Sequence, residues 1–163
     1  LALMNDSGVL STTRYWERLD VAVVGVSGGP SARPGYGTVM DRLDERGRSR
    51  LSDKGVVGDL AGYLVRVDGT IVDDEWSRRS IAIPIEALRR TPTVVAVAAG
   101  SNKVEAIVGS CRTGFVDILV TDVPTAEASL RLVGAVVASA RRSRVRTGPA
   151  DGSSERHPDG ATA

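Results

Sequence analysis

Short runs of apolar, mostly β-branched residues recur along the first 140 residues, and each ends at a turn-forming or polar residue. Such runs are typical of strands that are buried on both faces, as in a parallel sheet. The sequence predicts three of these strands, over Asp20–Ser27, Thr93–Gly100 and Phe115–Asp122.

Helical periodicity appears between and after the last two runs. Residues 102–113 place apolar side chains on one helix face, at Val104, Ile107, Val108 and Cys111. A second helix is predicted from Pro124, because proline suits the first turn of a helix. Strands and helices in this alternation need right-handed crossovers. We therefore expect an α/β fold, with a Rossmann-like, mostly parallel sheet flanked by helices.

The middle of the chain follows a different pattern. Residues 58–73 alternate between apolar and polar positions and contain the pair Asp68-Gly69, which favours a tight turn between antiparallel strands. We expect a β-hairpin here, as an excursion packed beside the main sheet. Short helices are predicted on either side of it, over 38–51 and 85–90.

The last part of the chain has a composition of its own. Residues 141–163 are rich in Gly, Pro, Ser, Ala and Arg and hold almost no large apolar side chain. Such a segment buries too little surface to offset the entropy of ordering it. We expect one domain over residues 1–140 and a disordered tail over 141–163, which contains the only histidine, His157.

The overall composition excludes several classes of protein. The chain has 163 residues, with 21 basic and 20 acidic side chains and a formal net charge of +1, so it has no general attraction for nucleic acid or anionic membranes. Its apolar runs are shorter than the roughly 18 residues of a membrane span. One cysteine and one histidine rule out an internal disulfide, a cysteine zinc cluster and a Ser–His–Asp triad. We predict no metal, no cofactor, no membrane partner and no catalytic residue.

The start of the chain also carries information. It begins at Leu1, with no Met, basic leader or signal-like apolar run. These features favour a cytoplasmic protein and a chain that is truncated at its N-terminus.

The loop after the second predicted strand is the sharpest candidate site. Gly100 permits a tight turn, and a helix is expected to begin at Ser101 or Asn102, where free N–H groups and the helix dipole favour an anion. Lys103 adds a positive charge there, and Lys54 is the only other lysine. A phosphate or a sugar oxygen would suit this site. The alternative is an ordinary turn in which Ser or Asn caps the helix.

Two further candidates lie near strand ends. Ser27 and Gly28 belong to a glycine-rich loop after the first strand, where the backbone could approach a ligand and the hydroxyl could bind a sugar, although a plain surface loop is equally consistent. Asp59 follows Gly58, and a carboxylate can accept two hydroxyl hydrogen bonds, as polyol sites require. Asp59 could instead act as a general base or end an element of structure.

Other residues have simpler interpretations. Asp122 is expected to cap the helix that follows it, and Cys111 is expected in the core. Trp76 and Arg79 could line the mouth of a ligand site or cover the edge of the sheet.

Several segments, taken together, resemble the sugar-binding domain of the SorC family of bacterial transcription regulators. They are Gly-Val-Ser-Gly-Gly at 25–29, Gly-Val-Val-Gly-Asp at 55–59, Ile-Pro-Ile-Glu-Ala-Leu at 83–88, Ala-Gly-Ser-Asn-Lys at 99–103 and Leu-Val-Thr-Asp at 119–122. The resemblance covers residues 1–132.

This resemblance implies a fold similar to glucosamine-6-phosphate deaminase and ribose-5-phosphate isomerase, a phosphorylated sugar as effector, and a homo-oligomer. It matches Asp59 to the family's acidic ligand contact and Lys103 to its phosphate- or sugar-contacting lysine. It also implies that Ser27 and Gly28 border the same pocket as Gly100 and Ser101. Family members begin with a helix-turn-helix domain that this sequence does not contain, so DNA contact is expected only through that domain.

The leading hypothesis is therefore an effector-sensing domain of a sugar-responsive transcription regulator. One alternative is a sugar-phosphate isomerase or deaminase on the same fold, with Asp59 as base, and another is a purely structural oligomerisation domain. Fold alone does not separate these functions.

Overall fold

A five-stranded mixed sheet forms the centre of the molecule. The computed structural model of this chain describes residues 2–31, 39–75 and 80–146. The strands are β1 (Val21–Gly28), β2 (Val56–Leu60), β3 (Tyr63–Arg66), β4 (Thr93–Val97) and β5 (Ile118–Val120). The helices are α1 (Ser7–Thr13), α2 (Glu45–Asp53), α3 (Ile85–Arg90), α4 (Val104–Arg112) and α5 (Val123–Arg146).

The sheet has the order β3-β2-β1-β4-β5. Strands β1, β4 and β5 are parallel neighbours, whereas β2 is antiparallel to both β1 and β3. Four of the five strands therefore point the same way, which confirms the predicted α/β class with a mostly parallel sheet.

The predicted hairpin exists, but it belongs to the sheet and turns at a different place. Strands β2 and β3 are joined by the two residues Ala61 and Gly62, both with positive φ (52° and 90°), as a tight hairpin turn requires. The Asp68-Gly69 pair forms a second turn, in which the Gly69 N–H donates to the Arg66 carbonyl at 3.0 Å. Beyond that turn only a single bridge returns along β3, and residues 72–75 form no further strand.

Two apolar clusters hold the elements together. The larger one lies between α4 and one face of the sheet, with Val26, Leu60, Val65, Val94, Ala96 and Ile107 at its centre. The smaller one lies on the other face, over β2 and β3, and contains Met40, Leu51, Val56, Leu64 and Val72. Each cluster buries its side chains almost completely.

The second face of the parallel strands differs from the prediction. Val21 and Val23 alternate with the buried Ala22 and remain 53% and 70% exposed. The expectation of strands buried on both faces is therefore wrong for β1, because only its α4 side is packed within the described residues.

The predicted boundary at residue 140 does not coincide with a helix end. Helix α5 continues to Arg146, so residues 141–146 of the predicted tail are helical. Residues 147–163, with His157, lie outside the described residues, and for them the disordered tail stays a prediction.

Candidate functional site

The candidate residues gather at the carboxyl ends of β1 and β4. The chain leaves β1 toward β2 on one side, while β4 lies on its other side. In open α/β sheets this point, where strand order changes direction, forms a crevice that accepts ligands. The predicted loops after β1 and β4 both open onto it.

Asp59 is the most unusual group in this crevice. It is only 5% exposed, and its Oδ1 accepts a hydrogen bond from the Gly62 N–H at 3.1 Å. Its Oδ2 is buried and makes no hydrogen bond of ordinary geometry within the described part of the chain. A buried carboxylate oxygen without a hydrogen-bond donor lowers the stability of the fold. A ligand that donates a hydrogen bond to it would remove that penalty.

The surroundings of Asp59 act on its pKa in both directions. Burial raises the pKa above its ordinary value of 3.8, while the Gly62 N–H, the nearby Ser27 hydroxyl and the positive charge of Lys103 lower it. Burial outweighs the other three. The structure therefore brings Asp59, Ser27 and Lys103 together, as the sequence-based hypothesis requires.

The alternation of β1 explains how Ser27 reaches this group. Ser27 pairs with Asp59 across β1 and β2, whereas Gly28 pairs with Gly58 on the opposite face. A Cβ at Gly58 would lie 2.4 Å from the Cβ of Ala106, so Gly58 faces α4. Gly28 is thus the last residue of a strand on the packed face and supports close packing, whereas Ser27 faces the crevice.

Gly100 shapes the loop after β4. Its φ is 111°, which favours glycine, and its N–H donates to Thr125 Oγ1 at 2.9 Å and to Asp122 Oδ2 at 3.2 Å. The Gly100 amide is therefore already used to fix the loop. Asp122 also accepts from the Thr125 N–H at 2.8 Å, so it caps α5, as predicted.

No side chain caps the start of α4. Ser101–Lys103 form a 3-10 turn, and α4 begins at Val104, two or three residues later than predicted. Neither this turn nor α4 has a side-chain cap, so the structure does not contain the Ser or Asn cap of the alternative interpretation. This open helix start and the Lys103 charge lie beside the same crevice.

A cavity of about 740 Å³ adjoins this helix start. Of the predicted residues only Ser101 lines it. Its other lining residues are Gly29, Pro30, Ser31, Val56, Val57, Asn102, Val104 and Glu105. Glu105 is the one acidic side chain in this lining, and it was not among the predicted site residues. An acidic residue in the first turn of a helix is already explained by its interaction with the helix dipole, so the sequence gives no separate reason to select it.

Other predictions have different outcomes. Cys111 is exposed, so its expected place in the core is wrong, and partial burial raises the pKa of its thiol. Trp76 and Arg79 lie outside the described residues. Across the described ranges, no group of three or more His, Cys, Asp and Glu side chains is arranged to hold a metal ion. None of the described helices is long and apolar enough to cross a membrane.

Comparisons with known proteins agree with the observed fold. Residues 1–131 match a family model described as "Putative sugar-binding domain". The transcriptional regulator LsrR of Escherichia coli is 34% identical over 130 residues, which cover 79% of this chain and 41% of the regulator.

Solved structures give the same result. The full-length sorbitol operon regulator SorC of Klebsiella pneumoniae superposes with a TM-score of 0.69 at 29% identity, over 79% of this chain and 41% of that one. A sugar-binding domain of a transcriptional repressor from Vibrio fischeri superposes with a TM-score of 0.65 at 30% identity, over 80% of this chain and 52% of that one. This chain thus spans about two fifths of the regulators' length, and it belongs to the SorC-type sugar-binding domain family of transcription regulators.

Proposed function

We propose that this chain is the effector-sensing part of a sugar-responsive transcription regulator and binds a phosphorylated sugar in the crevice at the ends of β1 and β4. The buried Asp59 Oδ2, which makes no hydrogen bond of ordinary geometry among the described residues although the Ser27 hydroxyl is near enough to lower the pKa of this carboxyl, is the observation that carries the proposal. A sugar hydroxyl would donate to it and remove the cost of its burial.

The two ends of such a ligand need different chemistry. Asp59 and Ser27 offer oxygen atoms for hydroxyl groups. The Lys103 ammonium and the uncapped turn over Ser101–Lys103 offer positive charge and N–H groups for a phosphate. The adjoining cavity of about 740 Å³ has room for a sugar-sized molecule.

Regulation would follow from a shift between states. A ligand that binds one arrangement of an oligomer more tightly increases the population of that arrangement. In this proposal the chain forms a homo-oligomer, and DNA is contacted by a helix-turn-helix domain outside these 163 residues. The relatives named as transcriptional regulators support this role.

Replacing Lys103 tests the site directly. We expect Lys103→Ala to weaken binding of a sugar monophosphate by about 1–3 kcal/mol, or roughly 5–150-fold, because a charge-assisted hydrogen bond is lost. Isothermal titration calorimetry with a panel of aldose and ketose monophosphates, beside the unphosphorylated sugars, measures this change.

Lys54→Ala is the matched control. Lys54 is the only other lysine, and its Nζ pairs with Asp74 Oδ2 at 2.7 Å, away from the crevice. Its replacement should leave the affinity unchanged. Equal affinities for wild type and Lys103→Ala would remove Lys103 from the site, and no binding by any sugar phosphate would leave the structural oligomerisation domain as the better account.

The proposed function contains no chemical step. The named relatives are regulators, and Asp59 has no His or second carboxyl among the groups that shift its pKa. Incubation with the same sugar phosphates should return them unchanged, as followed by NMR. Sustained isomerisation or deamination would favour the enzymatic alternative, with Asp59 as base.

A further inference from the structure

The cavity beside the start of α4 carries charge of one sign only. Its lining comes from the loop after β1, the start of β2 and the start of α4. Glu105 is the single charged side chain in that lining. Within the described ranges no lysine or arginine contributes to it, although the chain has 21 basic residues. The other lining groups are apolar or are neutral hydroxyl and amide groups, so the cavity has a negative character.

The negative charge of Glu105 is not neutralised from within the fold. Its side chain is exposed, and no ion pair joins its carboxylate to a cation in the part of the chain that the structure describes. The helix dipole at the first turn of α4 stabilises such a charge, which explains why it needs no cation there. The carboxylate is therefore available to act on whatever enters the cavity.

The start of α4 separates two opposite charges. Side chains two residues apart on a helix do not face each other, so Lys103 and Glu105 point in different directions. Lys103 is close enough to Asp59 to lower the pKa of that carboxyl, whereas Glu105 lines the cavity. A ligand that spans this helix start thus meets a positive charge at one end and a negative charge at the other.

The loop after β1 forms a closely packed wall of the same cavity. A Cβ at Gly29 would lie 2.6 Å from the Val57 carbonyl oxygen, so this loop lies directly against the backbone of β2. Because the wall is held in place, a ligand in the cavity stays within reach of the Glu105 charge.

We propose that Glu105 is a specificity residue, which accepts the hydroxyl-bearing end of a sugar monophosphate and rejects a second phosphate. This inference rests on the proposed function and narrows its ligand class. A carboxylate accepts hydrogen bonds from sugar hydroxyls. It repels a second phosphate, and the cavity lining supplies no cation to offset that repulsion. Repulsive groups of this kind are a common way to reject a close analogue of the ligand.

Ligand pairs that differ by one phosphate test the inference. Isothermal titration calorimetry on the full 163-residue chain compares fructose and glucose monophosphates with the bisphosphates of the same sugars. We expect a bound monophosphate to have an affinity at least about tenfold higher than its bisphosphate. Glu105→Gln keeps an acceptor oxygen and removes the charge. It should strengthen bisphosphate binding by about fivefold or more and change monophosphate binding by less than about twofold.

Glu45→Gln is the matched control. Glu45 is an exposed acid in the first turn of another helix, α2, and it does not line this cavity. The control variant loses the same charge at the same kind of helix position, so both affinities should stay within about twofold of wild type.

Two results would overturn the inference and leave the proposed function intact. One is a bisphosphate that binds the wild type as tightly as its monophosphate, a comparison that needs no variant to fold. The other is an equal response of both ligands to Glu105→Gln. Absence of binding by every ligand in the panel would instead overturn the proposed function, and this inference with it.

Discussion

At the scale of single residues, Asp59 shows how a buried carboxyl can lower stability. Its carboxyl is buried, one oxygen accepts from a single backbone N–H, and the other makes no hydrogen bond of ordinary geometry among the described residues, with only the Ser27 hydroxyl nearby. Burial therefore raises its pKa despite the nearby charge of Lys103. A group that is costly to the empty fold but useful to a ligand is typical of functional sites.

Asp59→Asn should stabilise the chain at neutral pH. Below its ordinary pKa of 3.8 the carboxyl is protonated in both states and contributes little. As the pH rises from there, the unfolded chain ionises first, because the folded pKa is raised, and the folded state loses stability through that window. The amide side chain of the variant does not ionise, so the variant does not lose stability in this way. Its thermal unfolding midpoint should exceed that of wild type at pH 7 and equal it at about pH 3.

Asp53→Asn is the control for that experiment, since Asp53 is exposed at the end of α2. At pH 7 its free energy of unfolding should stay within about 0.5 kcal/mol of wild type, as at other exposed positions. A midpoint for Asp59→Asn below that of wild type at pH 7 would contradict the account. The same variant should bind sugar phosphates more weakly, because an amide offers one acceptor where the carboxylate offers two.

At the scale of elements, glycines bring α4 and the sheet unusually close. A Cβ at Gly58 would lie 2.3 Å from the Ser27 carbonyl oxygen and 2.4 Å from the Ala106 Cβ, and one at Gly109 would lie 2.4 Å from the Arg66 carbonyl oxygen. This packing holds α4 over β2 and β3, which positions the helix start beside the crevice.

Gly58→Ala should therefore destabilise the chain by about 1–3 kcal/mol, because the added methyl group cannot fit without moving α4 or β1. Gly134→Ala is the matched control: a Cβ at this exposed position in α5 meets nothing within 4 Å. It should stabilise the helix by about 0.5–1 kcal/mol, the usual gain over glycine. Urea unfolding followed by circular dichroism measures both, and a neutral Gly58→Ala would contradict the close packing.

The elements also show where sequence patterns are informative. The three strand runs, helix α3 and the helix after β4 were predicted close to their observed places, because each has a strong local period or cap. The turn at Ala61-Gly62 was missed, since its Ala-Gly pair is a weaker turn signal than Asp68-Gly69. Which of the two turns joins β2 to β3 depends on the pairing of β2 with β1, a contact between residues remote in sequence.

At the scale of the whole molecule, the sheet is packed asymmetrically. One face is buried beneath α4, whereas the opposite face of β1, β4 and β5 is apolar and 45–70% exposed at Val21, Val23, Val97, Ile118 and Val120. Exposed apolar areas of this size normally mark a contact surface.

Removing that apolar surface should cost the fold little. A chain carrying Val23→Thr, Val97→Thr and Ile118→Thr should bind less of the dye ANS than wild type, because these side chains are 45–70% exposed. Its free energy of unfolding should change by less than about 0.5 kcal/mol per substitution, as at other exposed positions, and threonine suits strands. A cooperative loss of structure in this variant would show that this exposed face is part of the folded core.

The sequence by itself determined the α/β class, the order of the main elements, the family and the candidate residues Asp59 and Lys103. These follow from local periods and short motifs, which depend on residues close together in the chain. Tertiary structure decided that β2 and β3 extend the main sheet, that Ser27 and Gly28 face opposite sides and that Cys111 is exposed. It also decided that one face of the parallel strands stays open, because burial depends on which elements pack from a distance, and an apolar run looks the same in sequence whether one or both of its faces are covered.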